Sequence, residues 1–224
     1  ATEEMGASAA ETQETLIRDA LLTNTNVLYC DNINIEDEKK SGATPTMPSE
    51  MEASETVMSI LTPKMISKAA TKMKKDKVPT INGRYYAVIH PSVAEDLRNS
   101  KGWIEAHKYA DTEEIFNGEI GELHKVRFIE NVFAPVLGGE DYNNKAGGKT
   151  YATYFFGKDG FGIIDPEGGA LQMIVKSKEQ AGGPLNQFST VGYKFETNGA
   201  TMLYTERVLR VMSCSSYSAI DEEN

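Results

Sequence analysis

The feature that most constrains this chain is a series of five short motifs between residues 85 and 194. They are YYAVIHPSVAEDLR, IFNGEIG, VRFIEN, FFGKDGFGI and PLNQFSTVGYK. Each joins a hydrophobic run to a glycine, a proline or a polar stop, which is the pattern of a strand end, a turn or a helix start. None places residues at the spacing of a catalytic constellation. Together the motifs therefore predict a particular shape and no reaction.

Helices are predicted mainly in the first half of the chain. Residues 1–24 have the period of one long amphipathic helix. Its predicted inward stripe is Met5, Ala9, Leu16 and Ala20, widened by Ile17 and Leu21. A Thr-Pro pair starts a second helix over residues 62–77, because the hydroxyl caps free amides and proline has no N–H to leave unpaired. Residues 92–99 and 101–109 predict two short helices.

Runs of β-branched and aromatic residues, separated by turn residues, dominate the rest of the chain. The predicted strands are residues 27–30, 84–89, 126–129, 150–156, 161–164, 171–176, 189–196 and 202–212. Residues 31–61 are predicted to be a polar loop or insertion. Helices combined with largely antiparallel strands, without regular alternation, place the chain in the α+β class.

The composition argues against several classes of protein. A net charge of -10 argues against a protein that coats nucleic acid, since such binding depends on Lys and Arg. Two distant cysteines, Cys30 and Cys214, occur without a CxxC motif and predict buried, reduced thiols. No apolar run approaches the roughly 20 residues that span a bilayer, so no membrane partner is predicted.

The helix predicted over residues 62–77 is rich in lysine. Its lysines include Lys64, Lys68, Lys72, Lys74 and Lys75. We interpret them as a solvated helix face, in which the last ones complement the negative end of the helix dipole. A local basic patch is the alternative interpretation.

Two glycine-containing segments resemble nucleotide-binding motifs only in part. Gly148, Lys149 and Thr150 match the end of a phosphate-binding loop, but Asn143 stands where that motif requires a glycine. The following YATYFF favours a strand, whereas a phosphate loop needs a helix N-terminus. The glycines of FFGKDGFG do not form G-x-G-x-x-G and predict a hairpin turn with positive φ. We therefore predict no cofactor site.

His90, Ser92 and Asp96 are the residue types of a hydrolase triad. They lie at the start and along the side of one short helix, so they cannot converge as nucleophile, base and orienting acid. His90, His107 and His124 lack the spacing of metal ligands. We predict no catalytic residue, no metal site and no enzymatic activity; a small nucleotide-dependent or hydrolytic enzyme is a distant alternative.

In their order and separations, the five motifs resemble the major capsid proteins of tailed bacteriophages, particularly those of N4-like podophages. The most specific part is IFNGEIG after DLR, with VRFIEN following. The resemblance implies a fold shared with encapsulins and with herpesvirus capsid floors. That fold has a long spine helix, a mixed α/β axial domain and a β-rich peripheral domain.

The resemblance also implies how the chain is divided. Residues 1–30 would supply the spine helix and the first peripheral strand, and residues 31–61 a polar loop or insertion. Residues 62–164 would form mainly the axial domain, and residues 165–224 the strands that return to the peripheral domain and a C-terminal tail. In this family an N-terminal arm and an extended hairpin loop precede the spine helix. This chain shows neither, so we expect it to be a fragment or cleavage product.

The function implied by the resemblance is structural. The chain would be a non-catalytic subunit that self-assembles into an icosahedral shell around double-stranded DNA. Its implied partners are copies of itself in hexamers and pentamers, DNA enclosed without tight binding, and scaffolding or decoration proteins. It would reside in the virion capsid after assembly in the cytoplasm of a bacterial host. An encapsulin-like compartment is the alternative within the same fold.

Overall fold

A computed structural model of the chain describes residues 2–108, 119–163, 172–180, 185, 187–196, 200–218 and 221–223. The α-helices among them are α1 (Thr2–Leu22), α2 (Pro63–Lys75), α3 (Pro91–Asn99) and α4 (Lys101–Lys108). The strands are β1 (Val27–Tyr29), β2 (Ile33–Asn34), β3 (Val57–Met58), β4 (Tyr85–Ile89), β5 (Glu119–Leu123), β6 (Val126–Glu130), β7 (Val136–Leu137), β8 (Thr150–Phe156), β9 (Phe161–Ile163), β10 (Gln172–Lys176), β11 (Thr190–Lys194), β12 (Ala200–Met202) and β13 (Val208–Ser213). The α+β class predicted from the sequence is confirmed.

The chain divides into two compact units. The smaller one contains Ala1–Thr23 and Phe161–Met202, and the larger one contains Asn24–Gly160 and Leu203–Asn224. The first and last strands, which the sequence analysis grouped with the long helix, belong here to the same unit as residues 62–160. They do so because they pair with each other in the main sheet of that unit.

The larger unit is built on a mixed sheet in the order β1-β13-β8-β4-β6-β5, with β7 also paired to β8. Two of its pairings are parallel, β1 with β13 and β4 with β6. The other pairings are antiparallel, as the sequence pattern predicts. The β1–β13 pairing therefore brings the two ends of this unit together in one sheet.

The core of the larger unit lies between the sheet and its helices. Helix α2 begins as predicted, because Thr62 Oγ1 accepts a hydrogen bond from the Met65 N–H and Pro63 follows at the first helical position. The inward face of α2 consists of Met65, Ile66, Ala69, Ala70 and Met73, all of which are buried. Phe128 is fully buried and meets Trp103 and Phe155 edge to face.

The polar segment 31–61 is folded onto the larger unit. Strands β2 and β3 pair within it, and Met51 and Leu61 are fully buried. The buried amide of Asn32 accepts from the Glu52 N–H at 3.1 Å and donates to the Glu50 carbonyl at 3.2 Å. This segment is therefore ordered despite its polar composition, because its buried polar groups have hydrogen-bond partners.

The smaller unit contains α1, the hairpin β10–β11 and the pair β9–β12. Helix α1 contacts β11 and β12, and Tyr193 on β11 is hydrogen-bonded to Ser8 and Thr12 of the helix. Ala9 and Leu21 are buried in α1. The prediction that Leu16 points inward is wrong, because its side chain is 42% exposed.

The turn at residues 157–160 differs from its predicted form. Strands β8 and β9, on either side of it, belong to different sheets and do not pair as a hairpin. The positive φ in this turn belongs to Asp159 and not to a glycine. Gly157 is required by space: a Cβ there would lie 2.1 Å from Val78 Cγ1 and 3.0 Å from the Pro79 carbonyl oxygen. Close packing therefore explains this glycine.

We expect Phe128→Ala to lower the free energy of unfolding by about 2–5 kcal/mol, because truncating a fully buried ring leaves a cavity. Leu16→Ala removes an exposed side chain and should cost less than about 1 kcal/mol. Lys74→Ala, also on the surface, should stay within about 0.5 kcal/mol. Urea midpoints of the three variants test this ranking. A cost for Leu16→Ala equal to that of Phe128→Ala would contradict the exposure of Leu16.

Two glycine-to-alanine changes should act in opposite directions. Gly157→Ala should destabilise the protein by about 1–3 kcal/mol, because the new methyl group meets Val78 and a backbone carbonyl. Gly6→Ala in α1 meets nothing within 4 Å and should stabilise by roughly 0.5–1 kcal/mol through helix propensity. Thermal unfolding of both variants measures the signs. Stabilisation by Gly157→Ala would refute the close-packing explanation.

Candidate functional site

The start of α3 carries the residues that resembled a hydrolase triad. Strand β4 ends at Ile89, and His90 forms the N-cap of α3 with extended backbone angles. Its Nδ1 accepts a hydrogen bond from the Ser92 N–H at 3.2 Å. The sequence favours this geometry, because the residue before a proline avoids the helical region and Pro91 suits the first helical position. The ring nitrogen of His90 that faces Ser92 is therefore engaged by the backbone.

Asp221, near the end of the chain, is the centre of a cluster at this helix start. Its Oδ2 accepts from Ser92 Oγ at 2.6 Å and from the Tyr151 hydroxyl at 2.7 Å. His90 Nδ1 lies 3.9 Å from the same oxygen, and the His90 and Tyr151 rings are 5.2 Å apart. Ser92 therefore donates to a carboxylate instead of to an imidazole base.

Asp96 is bound to the same tail of the chain. Its carboxylate accepts from the N–H and the hydroxyl of Ser216. Ser215 Oγ donates to the Ser92 carbonyl at 3.0 Å. We call this set of contacts the C-terminal clasp; its members are Ser92, Asp96 and Tyr151 on the body of the unit and Ser215, Ser216 and Asp221 on the tail. Thus Asp96 does not orient His90, and the predicted failure to form a triad agrees with the geometry.

Lys149 strengthens the clasp. Its Nζ donates to the backbone carbonyl of Asp221 at 2.6 Å and lies 3.7 Å from the Glu223 carboxylate. The Tyr151 hydroxyl is also 2.9 Å from the Ser218 carbonyl. The tail is therefore held by side-chain contacts that come from the start of α3 and from strand β8 and the residue before it.

Burial and hydrogen bonding act differently on the two carboxylates. Burial raises the pKa of Asp96 and outweighs its hydrogen bonds from Ser216. Burial also acts to raise the pKa of Asp221, but hydrogen bonds from Ser92 and Tyr151 outweigh it and the pKa is lowered. Burial lowers the pKa of His90. The cluster thus combines an ionised Asp221 with a neutral imidazole, an arrangement suited to holding the tail.

The segment that resembled a phosphate loop has another structure. Asn144 Oδ1 accepts from the Ala146 and Gly148 N–H groups at 3.0 and 2.9 Å. Thr150 begins strand β8, as the sequence indicated, and its hydroxyl donates to the Tyr142 carbonyl. The Gly148 amide, which would point at a phosphate in that motif, is bonded within the loop.

Metal-ligating side chains and the two cysteines are further candidates for chemistry in the part of the chain that the structure describes. No group of three or more His, Cys, Asp or Glu side chains there is arranged to hold a metal ion. Cys30 and Cys214 are buried and unbridged, as predicted. Burial raises the pKa of both thiols, which disfavours the reactive thiolate. No described helix is long and apolar enough to cross a membrane.

Some sequence predictions concern residues that the structure does not describe. Most of IFNGEIG and the side chain of His107 lie outside the described residues. Sequence reasoning missed Asp221 and Tyr151. Nothing local identifies them, because the Ser92–Asp221 contact joins positions 129 residues apart.

We expect Asp221→Asn to lower the stability of the protein by about 1–2 kcal/mol at pH 7, since it removes a charged acceptor from two hydroxyl donors. The pKa of Asp221 is lowered in the folded protein, so its contribution is present above its unfolded pKa of about 3.9 and is lost as the pH falls through the folded pKa. The urea midpoints of the unchanged protein and of Asp221→Asn should therefore differ at pH 7 and lie closer together at pH 3.

The exposed neighbour Glu222 supplies the control for this prediction. Glu222→Gln removes the same charge without touching the clasp and should leave the midpoint unchanged at both pH values. Carboxypeptidase should trim the tail of Asp221→Asn faster than that of Glu222→Gln. Equal trimming and equal midpoints would show that Asp221 does not hold the tail.

Solved structures with a similar fold include phage capsids and an encapsulin complex. The chain is 17% identical to a Mycobacterium phage Che8 structure, with a TM-score of 0.54 over 94% of this chain and 61% of that one. The capsid of cyanophage Pam1 matches with 12% identity and a TM-score of 0.58 over 89% and 56% of the two chains. An encapsulin complex from Synechococcus elongatus matches with 10% identity and a TM-score of 0.55 over 97% and 65%.

The sequence comparisons are more specific than the comparison of folds. No curated protein sequence matches the chain significantly. The chain spans less than two thirds of the length of these solved capsid chains, and the narrower likeness to N4-like podophages stays a prediction. The phage capsid protein family model matches residues 1–200 of the 224. Because this match covers most of the sequence, the chain belongs to the phage capsid protein family.

Proposed function

We propose that this protein is the repeating structural subunit of a phage head, which assembles with copies of itself into a closed icosahedral shell around double-stranded DNA. The observation that carries the proposal is the family match over residues 1–200. The fold shared with phage capsids supports it. Its site of action would be the virion, after assembly in the host cytoplasm with the help of scaffolding or decoration proteins.

A non-catalytic role is consistent with the described chemistry. The triad-like residues at the start of α3 bind the tail and the backbone. The loop before β8 satisfies its own amides. A subunit of this kind acts through its surfaces, so the relevant features are the exposed apolar groups and charges.

The β10–β11 hairpin is the surface that we assign to contacts between subunits. All five residues of β10 are exposed, although three of them are Met173, Ile174 and Val175. Val175 pairs with Val191 across the hairpin, and both are exposed, at 63% and 38%. Phe188, just before β11, is 74% exposed. Exposed apolar side chains that are paired across a hairpin, such as Val175 and Val191, favour a contact with another protein.

We assign each of the two compact units to one of the two expected domains. We assign the unit with α1 and residues 161–202 to the peripheral domain, because the expected spine of that domain is a long helix. The unit with the mixed sheet is then the axial domain, and it also contains the C-terminal clasp. With these assignments, the chain comes back to the peripheral domain at residues 161–202.

An encapsulin-like compartment is the second candidate. It is favoured by the similarity to the Synechococcus elongatus encapsulin complex, which covers 97% of this chain. Purified particles distinguish the two functions: a phage head contains DNA, and a compartment contains a cargo enzyme.

Electron microscopy of the intact gene product tests the proposal. We expect closed shells of uniform diameter, with DNA inside when they are recovered from phage-producing cells. The double change Val175→Glu and Val191→Glu should abolish the shells, because it puts charges into a contact that has to lose water. Light scattering of the 224-residue chain measures its molar mass in solution, and so whether copies of this chain associate with one another.

The control for the hairpin variant is Lys178→Glu, a charge change at an exposed neighbouring position. It should leave the shells intact. The double variant should keep the wild-type unfolding midpoint, since both valines are exposed. Normal shells from the double variant would remove the hairpin from the interface, and an intact gene product that never forms particles would overturn the proposed function.

A further inference from the structure

Helix α2 and its C-terminal turn concentrate positive charge in an acidic protein. Residues 64–77 contain six lysines, Lys64, Lys68, Lys72, Lys74, Lys75 and Lys77, and one acidic residue, Asp76. The whole chain has 23 basic and 33 acidic residues. This local reversal of charge is the electrostatic feature that the proposed assembly function leaves unexplained.

The lysines are ordered along one face of the helix. Lys64, Lys68, Lys72 and Lys75 follow one another at intervals of four, four and three residues, so they form a single stripe. Four residues rise by about 6 Å, so the Cα atoms of the four lysines are spread over about 16 Å of the helix. The opposite face of α2 is buried in the core, which fixes the stripe toward the surface.

Little negative charge compensates this stripe. The Asp31 carboxylate lies 2.5 Å from Lys68 Nζ and 3.4 Å from Lys40 Nζ, so two ammonium groups share one carboxylate. Lys72 Nζ donates to a neutral partner, Asn26 Oδ1, at 2.6 Å. At the start of the stripe, Lys64 and Lys40 line a shallow cleft that also includes Asp31 and Glu38. The stripe thus keeps an excess of positive charge.

We propose that this lysine stripe, a row of positions along the exposed face of α2, binds the phosphate backbone of duplex DNA, so that α2 belongs to the inner wall of the shell. The inference rests on the proposed function, which supplies the DNA. A regular row of lysines is the electrostatic footprint of a partner with regularly spaced negative charge. An acidic protein surface, such as that of a second copy, is the competing partner.

The binding is expected to be weak and independent of base sequence. Lysine binds phosphate as a point charge and reads no base edge in this way. The acidic remainder of the chain repels DNA, which limits the affinity. A surface of this kind keeps packed DNA near the wall without gripping it tightly enough to hinder its exit.

Fluorescence anisotropy of a labelled 20-base-pair duplex, titrated with the 224-residue chain, tests the inference. With three phosphates contacted, the logarithm of the binding constant should fall with the logarithm of salt at a slope of about -2.7, or about 40-fold between 50 and 200 mM. The triple variant Lys64→Gln, Lys68→Gln and Lys75→Gln should bind at least about tenfold more weakly and lose most of the salt dependence.

A matched triple variant carries the same charge change elsewhere. Lys158→Gln, Lys176→Gln and Lys178→Gln alter three exposed lysines outside the stripe and should change the affinity less than about twofold. Thermal unfolding of both variants verifies that they are folded. A general charge effect would weaken both variants equally and would overturn the proposal.

Two further results would also overturn it. One is the absence of binding at 20 mM salt. The other is equal competition by polyglutamate and by unlabelled duplex, which would indicate an acidic protein partner. The proposed capsid function is tested separately, because shells from the intact gene product in the absence of DNA binding would refute only the role of the lysine stripe.

Discussion

The larger unit depends on the pairing of its last strand. Every residue of β13, Val208–Ser213, is buried, and the strand lies between β1 and β8 in the sheet. Its register with β8 extends from Val208 opposite Phe156 to Ser213 opposite Tyr151. The central position satisfies the backbone groups of β13 on both edges, and Leu209 and Val211 lie in the hydrophobic core. Without this strand, β1 would have no partner in the sheet.

The C-terminal clasp follows directly from that pairing. Because β13 ends beside Tyr151, the residues after it pass over the start of α3, where Ser92 and Asp96 are available. The tail is then fixed by polar contacts, with Tyr217 left 73% exposed. Residue types that elsewhere perform catalysis here hold residues 215–216 and 221, and the difference lies in which groups they bond.

The two units differ in the chemistry of their exposed surfaces. In the smaller unit, the hairpin exposes apolar side chains, whose burial against another protein would be favourable. In the larger unit, α2 exposes a row of lysines, which favour a charged partner. The two surfaces therefore differ in the kind of partner that each one suits, although both belong to one acidic chain.

Sequence alone determined the features that depend on near neighbours. The start of α2 at Thr62 and Pro63, its buried face and the strand after Gly148 follow from capping, period and β-propensity, which act over a few residues. Tertiary structure decided the rest. The exposure of Leu16, the need for Gly157 beside Val78, the union of the first and last strands and the contact of Asp221 with Ser92 all depend on residues distant in sequence. Local patterns carry no information about such partners, because burial and hydrogen bonding are fixed only when the segments pack together.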